Sequence, residues 1–173
     1  SDVEYYPLVW KDYVEPFYPT VETITVNGVT FNMIKVEGNG NDISDYYIGE
    51  TEVTQELWQA VMGSNPSEFS GNPQRPVEMV SWNNCQDFIT QLNRLTGKDF
   101  RLPTNEEWEY AAKGGSRSKG YTYSGSNNID NVAWYKGNSN NTTHEVKSKL
   151  SNEIGLYDMS GNVSELTSDG YCY

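Results

Sequence analysis

Asn27-Gly28 stands between two alternating runs, Val21-Glu22-Thr23-Ile24-Thr25-Val26 and Val29 to Val36. Asn-Gly accepts the two positive φ angles of a type I′ turn, whose twist matches that of the strands it joins, so this segment is predicted to be an antiparallel hairpin. A sheet of this kind needs a cover. The sequence supplies short, separately capped helices for it. Thr54 is an N-cap ahead of Leu57, Trp58, Val61 and Met62 at helical spacing, with Gly63 as the stop. Ser81 opens a longer helix whose apolar face is Trp82, Cys85, Phe88, Ile89, Leu92 and Leu95, ended by Gly97. Thr104-x-x-Glu107 is a capping box for a third, carrying Trp108, Tyr110, Ala111 and Ala112.

The remainder is turn-rich. Asp45 to Gly49 reads as a short aromatic strand and Gly155 to Met159 as another, with Ser160 to Val163 as a turn. Residues 65–76 carry three prolines and read as loop, as do the asparagine-dense stretches 127–131 and 138–143. Residues 1–20, rich in Tyr and Pro, are expected to form an extended arm that lies on a domain spanning 21–173. The 13 Tyr, 5 Trp and 5 Phe make aromatic rings the main core material.

Charge and hydropathy exclude several classes. A net charge of −12 with no basic patch argues against nucleic-acid binding. No run approaches the 18 apolar residues of a membrane span, and no signal peptide is visible at the start. Two cysteines, Cys85 and Cys172, make neither a disulfide framework nor a metal knuckle. Cys85 is expected to be a small buried hydrophobe on its helix.

Three ordered segments carry a resemblance. They are Glu50-Thr51-Glu52-Val53-Thr54, Arg101 to Ala112 (RLPTNEEWEYAA), and Gly155 to Glu165 (GLYDMSGNVSE), with Pro76 to Trp82 fitting between them. Over roughly residues 30–169 the sequence resembles the formylglycine-generating enzyme, or sulfatase-modifying factor, family. The resemblance implies an α+β, elaborated C-type-lectin-like fold: little regular structure, a twisted antiparallel sheet, two main helices and long loops. It also implies a calcium ion held by the carbonyls of Ser160, Gly161 and Val163 and the carboxylate of Glu165, a hard cation in an oxygen-rich turn. Asn131 and Val132 are similar to a second family calcium position.

The enzyme members oxidise a substrate cysteine with a copper-binding cysteine pair downstream of the Gly-Asn-Val turn. This sequence stops at Tyr173 without that pair, and Ser164 and Leu166 replace the family's two tryptophans. Copper is therefore not expected. The resemblance points to a non-catalytic, extracytoplasmic, bacterial binding module for a protein or a glycan. Two alternatives are a fragment of a copper-dependent oxidase and a variable-loop receptor binder on a lectin-like scaffold.

Other residue clusters have simpler explanations. Glu106 and Glu107 are explained by helix capping and the dipole, with Arg101 as a structural partner. Glu109 follows them on the same helix. Residues 39–45 form an oxygen-rich turn without the spacing of a calcium loop. His144, the only histidine, has no nucleophile motif beside it. Trp134 and Tyr135 lie in a loop from which rings can stack on sugars or face a protein.

Overall fold

The computed structural model describes Leu8 and residues 16–170. β1 (Val21–Val26) and β2 (Val29–Val36) form the predicted hairpin, with Asn27 and Gly28 at φ 46° and 81°. β3 (Tyr46–Gly49) adds antiparallel to β2, giving the sheet order β1-β2-β3. The helices are α1 (Gln55–Met62), α2 (Trp82–Thr96), α3 (Asn105–Ala112) and the short α4 (Ile129–Val132). Thr54, Ser81 and Thr104 all accept a backbone N–H as N-caps, and Gly63 and Gly97 are left-handed at the C-caps. These short helices therefore end where their own side chains satisfy the backbone.

The core is divided between the two faces of the sheet. Val26, Leu57, Trp58, Val61, Val77, Phe88 and Leu92 form one cluster under α1 and α2. Within it Trp58 and Phe88 stack at 4.8 Å. Val29 and Phe31 of β2 pack against it, whereas Ile34 and Val36, of the other parity on β2, belong to a second cluster with Trp108, Ala111, Ile154, Leu156 and Met159. Parity on a strand decides the face, so β2 feeds both clusters.

Four sequence expectations are corrected. Gly155 to Met159 is not a strand. Buried Asn152 takes over the local backbone: its Oδ1 accepts from the N–H groups of Ile154 and Leu156, and its Nδ2 donates to the Ala111 carbonyl and Ser124 Oγ. The chain then turns through Gly155 and Asp158 at positive φ, which no strand tolerates. Residues 129–131, within the stretch 127–131 expected as loop, belong to α4, with Asn128 as its N-cap. Trp82 is 41% exposed although it stands on the apolar side of α2; its indole N–H donates to the Thr167 carbonyl. Cys85 is half-buried.

Residues 16–20 lie on the domain. Arg117 sits 4.1 Å over the Phe17 ring, and the Thr20 carbonyl accepts from the Lys35 N–H. The rest of the expected arm, other than the exposed Leu8, and Cys172 fall outside the described residues.

Candidate functional site

The loop from β3 to α1 delivers Glu52 into the interior. It is pinned on both sides: the Glu50 N–H donates to the Asn32 carbonyl, and the Val77 N–H to that of Val53. Glu52 is 7% exposed, and no donor lies within hydrogen-bond geometry of either carboxylate oxygen among the described residues. Two more carboxyls are close enough to repel it. Asp158 is buried, with Oδ2 accepting from the Lys147 N–H and Oδ1 unpartnered. Glu165 lies at the end of the Gly161 turn.

Burial pushes the Glu52 carboxyl well above the usual range, Glu165 and Asp158 push it further, and the Asn162 amide offsets this only in part. Burial, then Asp158, raises Glu165 to about 8, with the Trp108 side chain opposing. Asp158 is raised by burial and drawn back by the Lys147 amide. Three raised carboxyls mark a place where negative charge has no cation beside it.

The turn at 160–165 is built to a close tolerance. Ser160 Oγ accepts from the Ser124 N–H. Gly161 has φ 101°, and a Cβ there would meet the Trp134 carbonyl oxygen at 2.3 Å; only glycine fits. The carbonyls of Ser160, Gly161 and Val163 accept no hydrogen bond from another described residue. No group of three or more His, Cys, Asp or Glu side chains among the described residues is arranged to chelate a metal. An ion here must take much of its coordination from main-chain oxygen, which suits calcium better than a transition metal. The donor set thus fits the cation that the family resemblance implies.

Asn131 and Val132 lie in a different setting. The Asn131 carbonyl accepts from the Leu150 N–H, its Nδ2 donates to Ser126 Oγ at 3.4 Å, and Val132 is buried. The Lys149 ammonium already donates to the adjacent Asp130 carbonyl at 2.7 Å.

A cleft of about 1100 Å³ opens beside β3. Phe31, Phe88, Leu92 and Trp108 supply apolar walls, while Glu52 and Glu165 reach it from within. Met79 stands on its rim, 68% exposed and at φ 61°, a strained conformation for a bulky side chain.

The remaining candidates are structural. Arg101 forms a two-pronged pair with Glu107 at 2.7 and 2.8 Å, and Glu107 also closes the capping box. Asn39 Oδ1 accepts from the N–H groups of Asn41 and Ile43, so the 39–45 turn satisfies itself. His144 stacks on Trp134 at 3.8 Å, and Lys149 lies 4.2 Å over the same indole. The Tyr135 hydroxyl donates to Asp130.

Sequence reasoning missed Glu52, Asp158 and Asn162 as parts of the site. The signal was present for the two acids. Each sits beside apolar or aromatic neighbours in the sequence, Val53 for one and Tyr157 and Met159 for the other, where an acid is out of place.

No helix among the described residues is long and apolar enough to cross a membrane. The sequence is similar to the chaperone protein LppX of Paenibacillus barcinonensis, with 37% identity over 83% of this chain and 70% of that protein. It is also 35% identical to the formylglycine-generating enzyme of Streptomyces coelicolor, but the match spans only 38% of that enzyme. The fold matches that of Treponema denticola variable protein 1 with a TM-score of 0.79 and 36% identity, covering 87% of this chain and 77% of that one. The sulfatase-modifying factor enzyme 1-like domain matches residues 14–172, nearly the whole sequence, and the chain belongs to that family.

Proposed function

We propose that this domain is a non-catalytic, polypeptide-binding module, with the cleft beside β3 as its binding surface and calcium bracing the turn behind it. One observation carries the reading: Glu52 is buried and faces the cleft with both oxygens unpartnered. A buried carboxyl held in this way is costly to ionise, and a ligand that supplies a cation or a donor recovers that cost. Polypeptide is favoured over glycan because the loop ring best suited to sugar stacking, Trp134, already holds His144 and Lys149 against it. The name chaperone, borne by the relative LppX, agrees with a polypeptide partner.

Calcium would be held by the carbonyls of Ser160, Gly161 and Val163 and the carboxylate of Glu165, with buried Asp158 adding negative charge. The ion would supply no chemistry beyond fixing the turn. A site with so few carboxylates and so much main-chain oxygen would have the modest affinity of extracellular calcium modules, which supports a location outside the cytoplasm.

The test is paired arrays of extended peptides and of glycans, probed with the protein in millimolar calcium. Retention on peptides and not on glycans supports the assignment; the reverse pattern, or silence on both, overturns it. A melting temperature that calcium raises in the wild type but not in Glu165→Gln supports the metal site, and an unchanged wild type removes it.

A further inference from the structure

Met79 is displayed on the cleft rather than buried in it, and the backbone around it is fixed on both sides. Its φ of 61° is one that a bulky residue adopts only when its surroundings impose it. On the near side the Val77 N–H donates to the Val53 carbonyl, and the Glu78 N–H donates to Ser67 Oγ at 3.2 Å. The Glu78 carboxylate in turn accepts from the Glu68 and Phe69 N–H groups. On the far side Ser81 is held as the N-cap of α2, with its own N–H donating to Asn84 Oδ1 at 2.9 Å. The left-handed residue between these anchors lines the cleft and stays 68% exposed.

Of the four methionines, Met33 and Met62 are half-buried, Met159 is buried, and only Met79 is exposed. Exposure decides which thioether an oxidant reaches first. The other sulfur that lines the cleft, Cys85, is half-buried, and burial pushes its thiol up, away from the reactive thiolate. Among the large hydrophobic side chains lining the cleft, Met79 and Tyr47 are the exposed ones. The exposed acids Glu56, Asp99 and Glu145 line it as well. A thioether on such a rim is a soft apolar contact that adapts to varied partners. A sulfoxide in its place is a polar acceptor and adds an oxygen dipole to acidic surroundings.

We propose that Met79 is a reversible oxidation switch on the cleft: its thioether holds apolar side chains of a partner, and its sulfoxide releases them. In the forward step a hydroperoxide transfers one oxygen atom to the sulfur. The O–O bond breaks and an S–O bond forms; sulfur gives up two electrons, and the peroxide leaves as water or an alcohol. The chain itself gains and loses no proton. The proposal rests on the polypeptide-binding reading and adds its control by redox state. The strained residue already stands in solvent, so the step needs no opening of the fold.

The experiment has a chemical arm and a binding arm. The wild-type chain is treated with hydrogen peroxide at about pH 5.5, where thiols are protonated, and mapped by peptide mass spectrometry. One added oxygen should appear at Met79 at least about tenfold faster than at Met159; comparable rates at the two sites overturn the proposal. Binding is read by the anisotropy of a labelled nonapeptide of alternating leucine and serine. Oxidation of the wild type should weaken it at least about fivefold, because an apolar contact becomes polar. Methionine sulfoxide reductases with a dithiol should restore it, and a loss that does not reverse overturns the switch. Met79→Leu keeps an apolar rim without the sulfur, so it should bind as the reduced wild type does and ignore peroxide. Met79→Gln, a polar stand-in for the sulfoxide, should bind as the oxidised chain does. With the side chain 68% exposed, neither variant removes core packing. Oxidation that leaves wild-type binding unchanged, or that weakens Met79→Leu equally, overturns the switch and leaves the module reading standing. The same holds if the reduced chain ignores this apolar probe yet binds other peptides on the arrays. Silence toward every peptide sinks both.

Discussion

His144 and Asn162 hold each other by a reciprocal pair of hydrogen bonds: the His144 N–H donates to Asn162 Oδ1 at 3.0 Å, and Asn162 Nδ2 donates to the His144 carbonyl at 3.1 Å. A single amide thus ties the 139–144 loop to the turn behind Glu52. Asn162→Ala leaves both main-chain groups without this partner and should cost about 1–3 kcal/mol in urea unfolding. A change under a few tenths would mean that water replaces the amide.

Gly161→Ala tests the same turn through its backbone. The new Cβ would overlap the Trp134 carbonyl oxygen at a φ hostile to alanine. The expected loss is about 2 kcal/mol or more, together with loss of any calcium response in thermal melts. An alanine variant that melts with the wild type would show that the turn is plastic.

The carboxyl cluster predicts a pH dependence with a definite sign. Glu165 is raised in the folded chain from 4.5 to about 8, so the fold favours its protonated form. That contribution is fully present below the unfolded value and disappears as pH rises toward 8. In calcium-free buffer, stability should therefore fall from about pH 4.5 to about pH 8, and the fall should be smaller in Glu165→Gln. A variant with the same slope as the wild type would assign the dependence elsewhere.

Leu156→Ala probes the second core cluster, where the side chain is 1% exposed. Truncation there should cost about 2–5 kcal/mol, measured from the denaturant midpoint at constant m-value. A small loss would indicate that the 152–159 segment collapses into the space.

Local signals made much of the framework legible. Asn27-Gly28 specified the hairpin, and three N-cap residues, two of them matched by the glycine stops Gly63 and Gly97, placed α1 to α3, because these devices work within four residues of themselves. The 155–159 segment misled for the opposite reason. Its apolar alternation looks like a strand, but Asn152, just upstream, captures its N–H groups with a side chain, and propensity cannot register that competition. α4 was hidden in an asparagine-rich run, where the same residue type that signals loop serves as its N-cap. At the candidate site, the family's motif supplied Glu165 and the turn. Glu52 and Asp158 approach Glu165 only after more than a hundred residues of chain between the first and last have folded, and nothing within a local window announces that meeting.

The split of the core between the two faces of β2 also sets an order of assembly. Every residue of the first cluster and of its half-buried surroundings lies between Val26 and Phe100, so a chain emerging from the ribosome can close that side before α3 exists. The second cluster joins Ile34 and Val36 to residues as distant as Met159. During synthesis one side of the hairpin is already dry while the other still waits, apolar and open, for the last third of the molecule.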